Sequence, residues 1–139
     1  MVLDASAALS WFFKDERDEI AVGMARAVTE RGAIVPPLFR WEMQNAFISA
    51  VRRKRITTEL AVANLEALDE LGLVVDEPIL RSPFEAGIAL AQRFRISAYD
   101  AAYLELAMRR SLPLMSRDER LMGAAAELTI LWSPPTPRS

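Results

Sequence analysis

Five short apolar runs constrain this chain more than anything else in it. They are Val2-Leu3, Ala33-Ile34-Val35, Leu73-Val74-Val75, Leu112 to Met115 and Leu128 to Leu131, and helical patterns lie between them. Short apolar strands alternating with helices indicate βαβ units and a parallel sheet covered on both faces. The helical segments are expected from Ala5 through Phe13, over Ile20 to Arg31 with Gly32 closing, and over Leu38 to Arg55 after Pro36-Pro37. Further helices follow from a Thr57 or Thr58 cap to Gly72, from Ser82 to about Phe94, from Ala98, and from Asp118. The fold class expected is α/β and Rossmann-like, with a short parallel sheet of four to five strands and about seven helices. One domain over 1–132 and a flexible, proline-rich tail over 133–139 complete the expected organisation.

Within this frame Ile96 to Ala107 is almost wholly apolar, and Asp100 stands at the start of its helix. Ser97 followed three residues later by an acid is a capping-box pattern, which begins the helix at Ala98. Ser82-Pro83-Phe84-Glu85 is a second clear start: cap, first-turn proline and capping-box glutamate. A carboxylate at the mouth of a helix covered on most faces needs a reason.

Composition narrows the chemistry sharply. The 139 residues contain no His and no Cys. That removes Ser-His-Asp catalysis, paired-histidine acid/base chemistry, thiol nucleophiles, disulfides and nearly every zinc site. Hydrolysis by such a chain has to run on carboxylates, hydroxyls and a hard metal ion. The net charge of −2 neither requires nor forbids a nucleic-acid partner. No apolar run reaches membrane-spanning length and no basic-then-apolar leader opens the chain, so a cytoplasmic location is expected.

In open parallel sheets, ligands bind beyond the carboxyl ends of the strands. Asp4 ends the first strand, Asp118 lies two residues past the fourth, Asp100 opens its helix, and Glu42 sits in the second turn after the second strand. Taken singly, each has an ordinary explanation as a cap, a first-turn acid or a surface charge. Taken together, those explanations weaken. Two carboxylates about 5 Å apart at an effective dielectric of about 20 repel by roughly 3 kcal/mol. A helix dipole returns only about 0.3–1 kcal/mol. A cluster of four such acids calls for a cation, and oxygen donors alone point to Mg²⁺ or Mn²⁺.

Asp4-Ala5-Ser6 after a strand, Glu42-x-x-Asn45 in a helix, Tyr99-Asp100-Ala101-Ala102-Tyr103-Leu104, and Ser116-Arg117-Asp118-Glu119-Arg120-Leu121 resemble the motifs of the PIN-domain nucleases. The match is nearest to the VapC-type toxins of bacterial toxin–antitoxin pairs, in order and over nearly the whole chain. Position 116 is Ser where many of that family have Thr. The resemblance implies a PIN fold and Mg²⁺- or Mn²⁺-dependent endoribonuclease activity. Asp4, Asp100 and Asp118 would hold the ion, and Glu42 would bind it or act on the attacking water. The family also implies a VapB-type antitoxin partner, a homodimer and a larger toxin–antitoxin assembly.

Ser6 and Ser116 are candidates for hydrogen bonds behind the ligands, and both are equally good helix caps. Asn45, one turn from Glu42, is a candidate to steady it, and serves equally well as a surface residue. Arg52-Arg53-Lys54-Arg55 is a candidate phosphate contact; cations also favour a helix C-terminus. Trp11-Phe12-Phe13 is expected in the core, with surplus apolar surface toward a partner or a second copy.

Two other readings compete. An aspartate-nucleophile phosphatase of the haloacid-dehalogenase type needs an acid at position 6, where Ser6 stands, and a late lysine, whereas none follows Lys54. A PIN fold that binds RNA or protein without cutting remains the alternative.

Overall fold

The computed structural model describes the backbone of residues 1–77 and 82–136, with side chains except those of residues 82 and 83. The strands are β1 (Val2–Leu3), β2 (Ile34–Val35), β3 (Val74–Val75) and β4 (Leu114–Met115). The helices are α1 (Ala5–Leu9), α2 (Glu19–Arg31), α3 (Leu38–Arg52), α4 (Thr58–Glu70), α5 (Ser82–Phe94), α6 (Ala98–Arg110) and α7 (Glu119–Glu127). All strand pairs are parallel, in the order β3-β2-β1-β4. The chain steps outward from β1 to β3, then returns to the far side of β1. Strand order therefore reverses between β1 and β4, which opens a crevice at their carboxyl ends.

Helix α6 lies against β1 and β4, and its Ala101, Tyr103, Leu104, Leu106 and Ala107 are buried. Phe47 and Met43 of α3, Val2, Leu3, Val28, Leu114, Met115 and Leu121 are also fully buried. Each such side chain contributes about 1.5–3 kcal/mol by leaving water. The covered faces expected of α6 are observed, and Ser97 Oγ accepts the Asp100 N–H at 3.0 Å. Glu105, the second acid in the Ile96–Ala107 stretch, was not singled out in the sequence; it is buried and bound by Arg109. Thr57 caps α4 by accepting Leu60 N–H, and Asp18 caps α2 by accepting Ala21 N–H. The cap expected at Ser82-Pro83 lies outside the described side chains, as do residues 137–139 of the tail.

Three boundaries differ from expectation. Helix α1 stops at Leu9, and a 3₁₀ turn at Lys14–Glu16 follows, because Trp11 and Phe13 turn into the core. Ser10 Oγ bonds back to the Ala7 carbonyl there, at 2.5 Å. Helix α3 stops at Arg52 rather than Arg55: Lys54 adopts a left-handed conformation (φ 58°), and Arg55 N–H turns back to Ala50 O. This is the paired 6→1 and 5→2 closure of a helix end, with lysine in glycine's usual place. The same closure at Thr129 (φ 58°), with Ile130 N–H on Ala125 O, consumes most of the fifth strand. Only a parallel bridge from Leu131 to Leu114 remains of it.

Candidate active site

Asp4 follows β1 directly into the crevice and is 4% exposed. It occupies the N-cap position of α1 but makes no capping bond. Its Oδ2 instead accepts the hydroxyls of Ser6, on the first turn of α1, and of Ser116, just past β4, the latter at 2.8 Å. Two strand ends are thereby joined through one carboxylate oxygen. Arg117 N–H donates to Ser6 Oγ at 2.9 Å and Asp118 N–H to Ser116 Oγ at 3.0 Å. Ser6 and Ser116 thus both bond to Asp4, and neither caps a helix.

Asp118 does cap one: its Oδ1 accepts Leu121 N–H at the start of α7. Asp100 sits in the first turn of α6. Glu42 projects from the second turn of α3, and its Oε1 accepts the Tyr103 hydroxyl at 2.7 Å. Asn45 is exposed, and among the described residues no hydrogen bond links it to Glu42. Tyr103 is therefore the residue that steadies Glu42. Its signal in the sequence was a tyrosine three residues after Asp100 in a helix otherwise built for burial; a buried tyrosine seeks a partner for its hydroxyl.

The electrostatics tie the acids to one another. Burial raises the Asp4 carboxyl above its ordinary range, the Asp100 charge raises it further, and the Ser6 and Ser116 hydroxyls oppose both. Burial raises Glu42, with added pressure from Asp4 and Asp100 against the Tyr103 bond. Asp100 is raised by burial and by Asp118. Tyr103 is held protonated, far above its usual value, by burial and by the neighbouring Glu42 and Asp4. Among the described residues no ion pair reaches any of the four acids. Their repulsion is left without a protein cation.

Among the described residues no group of three acids is placed close enough to grip a metal ion as it stands. In donor chemistry, however, the site suits a hard divalent cation: carboxylates and hydroxyls, no thiol, and negative charge without a counter-ion.

The basic run lies elsewhere. Arg52 stands ten residues along α3 from Glu42, about 15 Å at 1.5 Å per residue. Arg55 stacks over the Phe13 ring at 4.5 Å and pairs with Asp15 at 3.1 Å. Trp11 and Phe13 are buried and Phe12 packs edge-on against Phe47, so they leave little surplus surface. Exposed apolar side chains occur instead at Trp41, Phe84, Ile88 and Tyr99, the last three lining an apolar groove of about 410 Å³ beside α6.

A family model described as the PIN domain matches residues 1–127. Ribonuclease VapC1 of Mycobacterium tuberculosis, from two strains, is 31% identical over 129 residues, covering 88% of this chain and 89% of its own length. The crystal structure of PAE2754 from Pyrobaculum aerophilum superposes with a TM-score of 0.69, covering 88% of this chain and 84% of that one. Its identity is 21%, and it supports the fold alone.

Proposed function

Because the chain belongs to the PIN-domain family and is of the VapC type, we propose that it is a metal-dependent endoribonuclease, the toxin of a toxin–antitoxin pair. The observation that carries the metal-dependent reading is the set of four carboxyls at the β1–β4 switch point, Asp4, Glu42, Asp100 and Asp118. Three of them are raised by burial and by the charge of neighbouring acids, and among the described residues no ion pair reaches them. Asp4, Asp100 and Asp118 would hold Mg²⁺ or Mn²⁺, with Glu42 beside them. A bound divalent ion supplies a lowered water pKa and stabilisation of charge on the phosphate. Glu42, fixed by Tyr103, orients the attacking water and takes its proton. Ser6 and Ser116 hold Asp4 in place. Arg52, Arg53 and Lys54, exposed at the far end of α3, are left as candidates for sequence-independent phosphate contact.

The VapC likeness also supports a VapB-type antitoxin as partner, a homodimer, one catalytic domain over 1–132 and a cytoplasmic site of action. No helix among the described residues is long and apolar enough to cross a membrane.

The test is cleavage of a mixture of tRNA and rRNA by the purified protein, free of any partner. Wild type and Asp100→Asn are compared with Mg²⁺ or Mn²⁺ and with chelator. Discrete fragments that need both the metal and Asp100 are expected. Cleavage that survives chelation or the substitution would sink the four-acid mechanism. A second reading, a PIN fold that binds without cutting, draws on the spacing of the acids, no three of which are gathered tightly enough for an ion. Metal binding without cleavage of any RNA in the mixture would favour it.

A further inference from the structure

We propose that Arg117 is a positioning residue for the acid cluster, acting through its clasp on Asp18. The inference rests on the metal-dependent reading above. Residues 116–118 form the link between β4 and α7, and two of them serve the site. Ser116 is fully buried and bonds to Asp4, and Asp118 is one of the four acids, with its Oδ1 on Leu121 N–H.

Arg117, between them, reaches away from the cluster. Its guanidinium meets both carboxylate oxygens of Asp18, Nη1 to Oδ1 at 3.0 Å and Nη2 to Oδ2 at 2.6 Å. Its backbone N–H is meanwhile fixed on Ser6 Oγ. Asp18 is itself anchored, because Oδ1 also caps α2. A single residue thus locks the first turn of α1, the start of α2 and the β4–α7 link together, across 99 positions of sequence.

Arg117 is held at its backbone N–H by Ser6 and at its guanidinium by Asp18, and holding the middle residue of this short link at both points constrains the two beside it. Turning Arg117 loose would leave Ser116 and Asp118 held only by their own bonds, to Asp4 and to Leu121 N–H. The planar fork of arginine suits this clasp, since a lysine offers only a point charge. With both arms of the fork on Asp18, the guanidinium is committed to the fold and is not presented to a phosphate.

The experiment titrates Mn²⁺ into the full-length protein and follows the free ion by electron paramagnetic resonance. Wild type is compared with Asp18→Asn, Arg117→Gln, Arg117→Lys and the Asp18→Asn/Arg117→Gln double variant. Asparagine keeps the cap of α2 while removing the charge, and thermal melts by circular dichroism confirm folding. Asp18→Asn and Arg117→Gln should each weaken Mn²⁺ binding about 10-fold, the lower end for groups that orient ligands. The double variant should be no weaker than either single one, and Arg117→Lys should lose less. Variants that bind as tightly as wild type would overturn the proposal. So would a loss in Arg117→Gln that Asp18→Asn does not share, since that would mean Arg117 acts without its clasp. Failure of the wild type to bind Mn²⁺ at all would instead remove the metal reading, and this inference with it.

Discussion

The Tyr103 hydroxyl donates a 2.7 Å hydrogen bond to Oε1 of Glu42, joining α6 to α3 across 61 positions of sequence. Tyr103 is fully buried, and its proton is held far more firmly than usual, so it serves as donor at every physiological pH.

Replacing that tyrosine tests the bond cleanly, because phenylalanine fills the same space. Tyr103→Phe should lower stability by about 1.5–3 kcal/mol, the range for a hydrogen bond to a charged group. Urea unfolding reads the change. RNA cleavage should fall about 10-fold or more as Glu42 loses its hold. Unaltered cleavage would show that Glu42 needs no steadying.

The pH dependence of the metal-free protein follows from the directions of its carboxyl shifts. Asp4, Glu42 and Asp100 are raised, so the folded state keeps their protons after the unfolded chain has released them. Their contribution to stability is full below the ordinary carboxyl values of 3.8 and 4.5 and is lost as pH rises through the raised ones. Asp18, lowered to about 2 by Arg117, and Asp76, lowered by Arg109, act oppositely and lose their contribution as pH falls below 3.8. Metal-free Asp100→Asn should therefore be more stable than wild type at pH 7, with the advantage shrinking toward pH 4. Thermal melts across that range check it, and a variant less stable at pH 7 would contradict the repulsion among the acids.

Divalent metal should reverse this order. An ion that binds only the folded state at 100 times its dissociation constant adds about 2.7 kcal/mol. Mn²⁺ should raise the melting temperature of wild type at pH 7 and do so much less at pH 5, where protonation competes. Asp4→Asn and Asp100→Asn should lose most of the effect. Equal rises in wild type and variants would place the ion elsewhere.

Away from the site, Asp76 is 3% exposed and binds Arg109 at 2.6 Å and Arg110 at 2.7 Å, while Arg109 also holds the buried Glu105. Removing the shared acid takes a partner from both arginines, which keep access to water, and Arg109 keeps Glu105, so Asp76→Ala should cost about 1.5–3 kcal/mol. Arg110→Ala should cost less than about 1 kcal/mol, because Arg110 is half-exposed and Arg109 remains. Denaturant unfolding of the two variants separates these outcomes.

Much of the site was legible along the chain. Asp4 and Asp118 could be placed because each follows an apolar run that can only be a strand. Asp100 could be placed because Ser97 announces the start of its helix. Helical spacing places Asn45 one turn from Glu42 but says nothing about the helix packed against it, which supplies Tyr103. The bond from Tyr103 to Glu42, the clasp of Arg117 on Asp18, and the Asp76 cluster could not be read along the chain for that reason. The stacking of Arg55 on Phe13 was hidden in the same way, and it sets that residue apart from the exposed Arg52, Arg53 and Lys54.

By itself the sequence determined the alternation of strands and helices, the caps that set where most helices begin, and the chemistry left open to a chain without His or Cys. These follow from properties carried by neighbouring residues: side-chain period, backbone preference and the functional groups present. Only the tertiary structure decided that the chain returns past β1 to place β4 beside it, that Asp4 sits between Ser6 and Ser116, and that Glu42 leans on Tyr103. Those relations join residues far apart in sequence. They exist only because burial of α6 against the sheet brings the strand ends and helix starts to one crevice, where hydrogen bonds and charge act over a few ångströms.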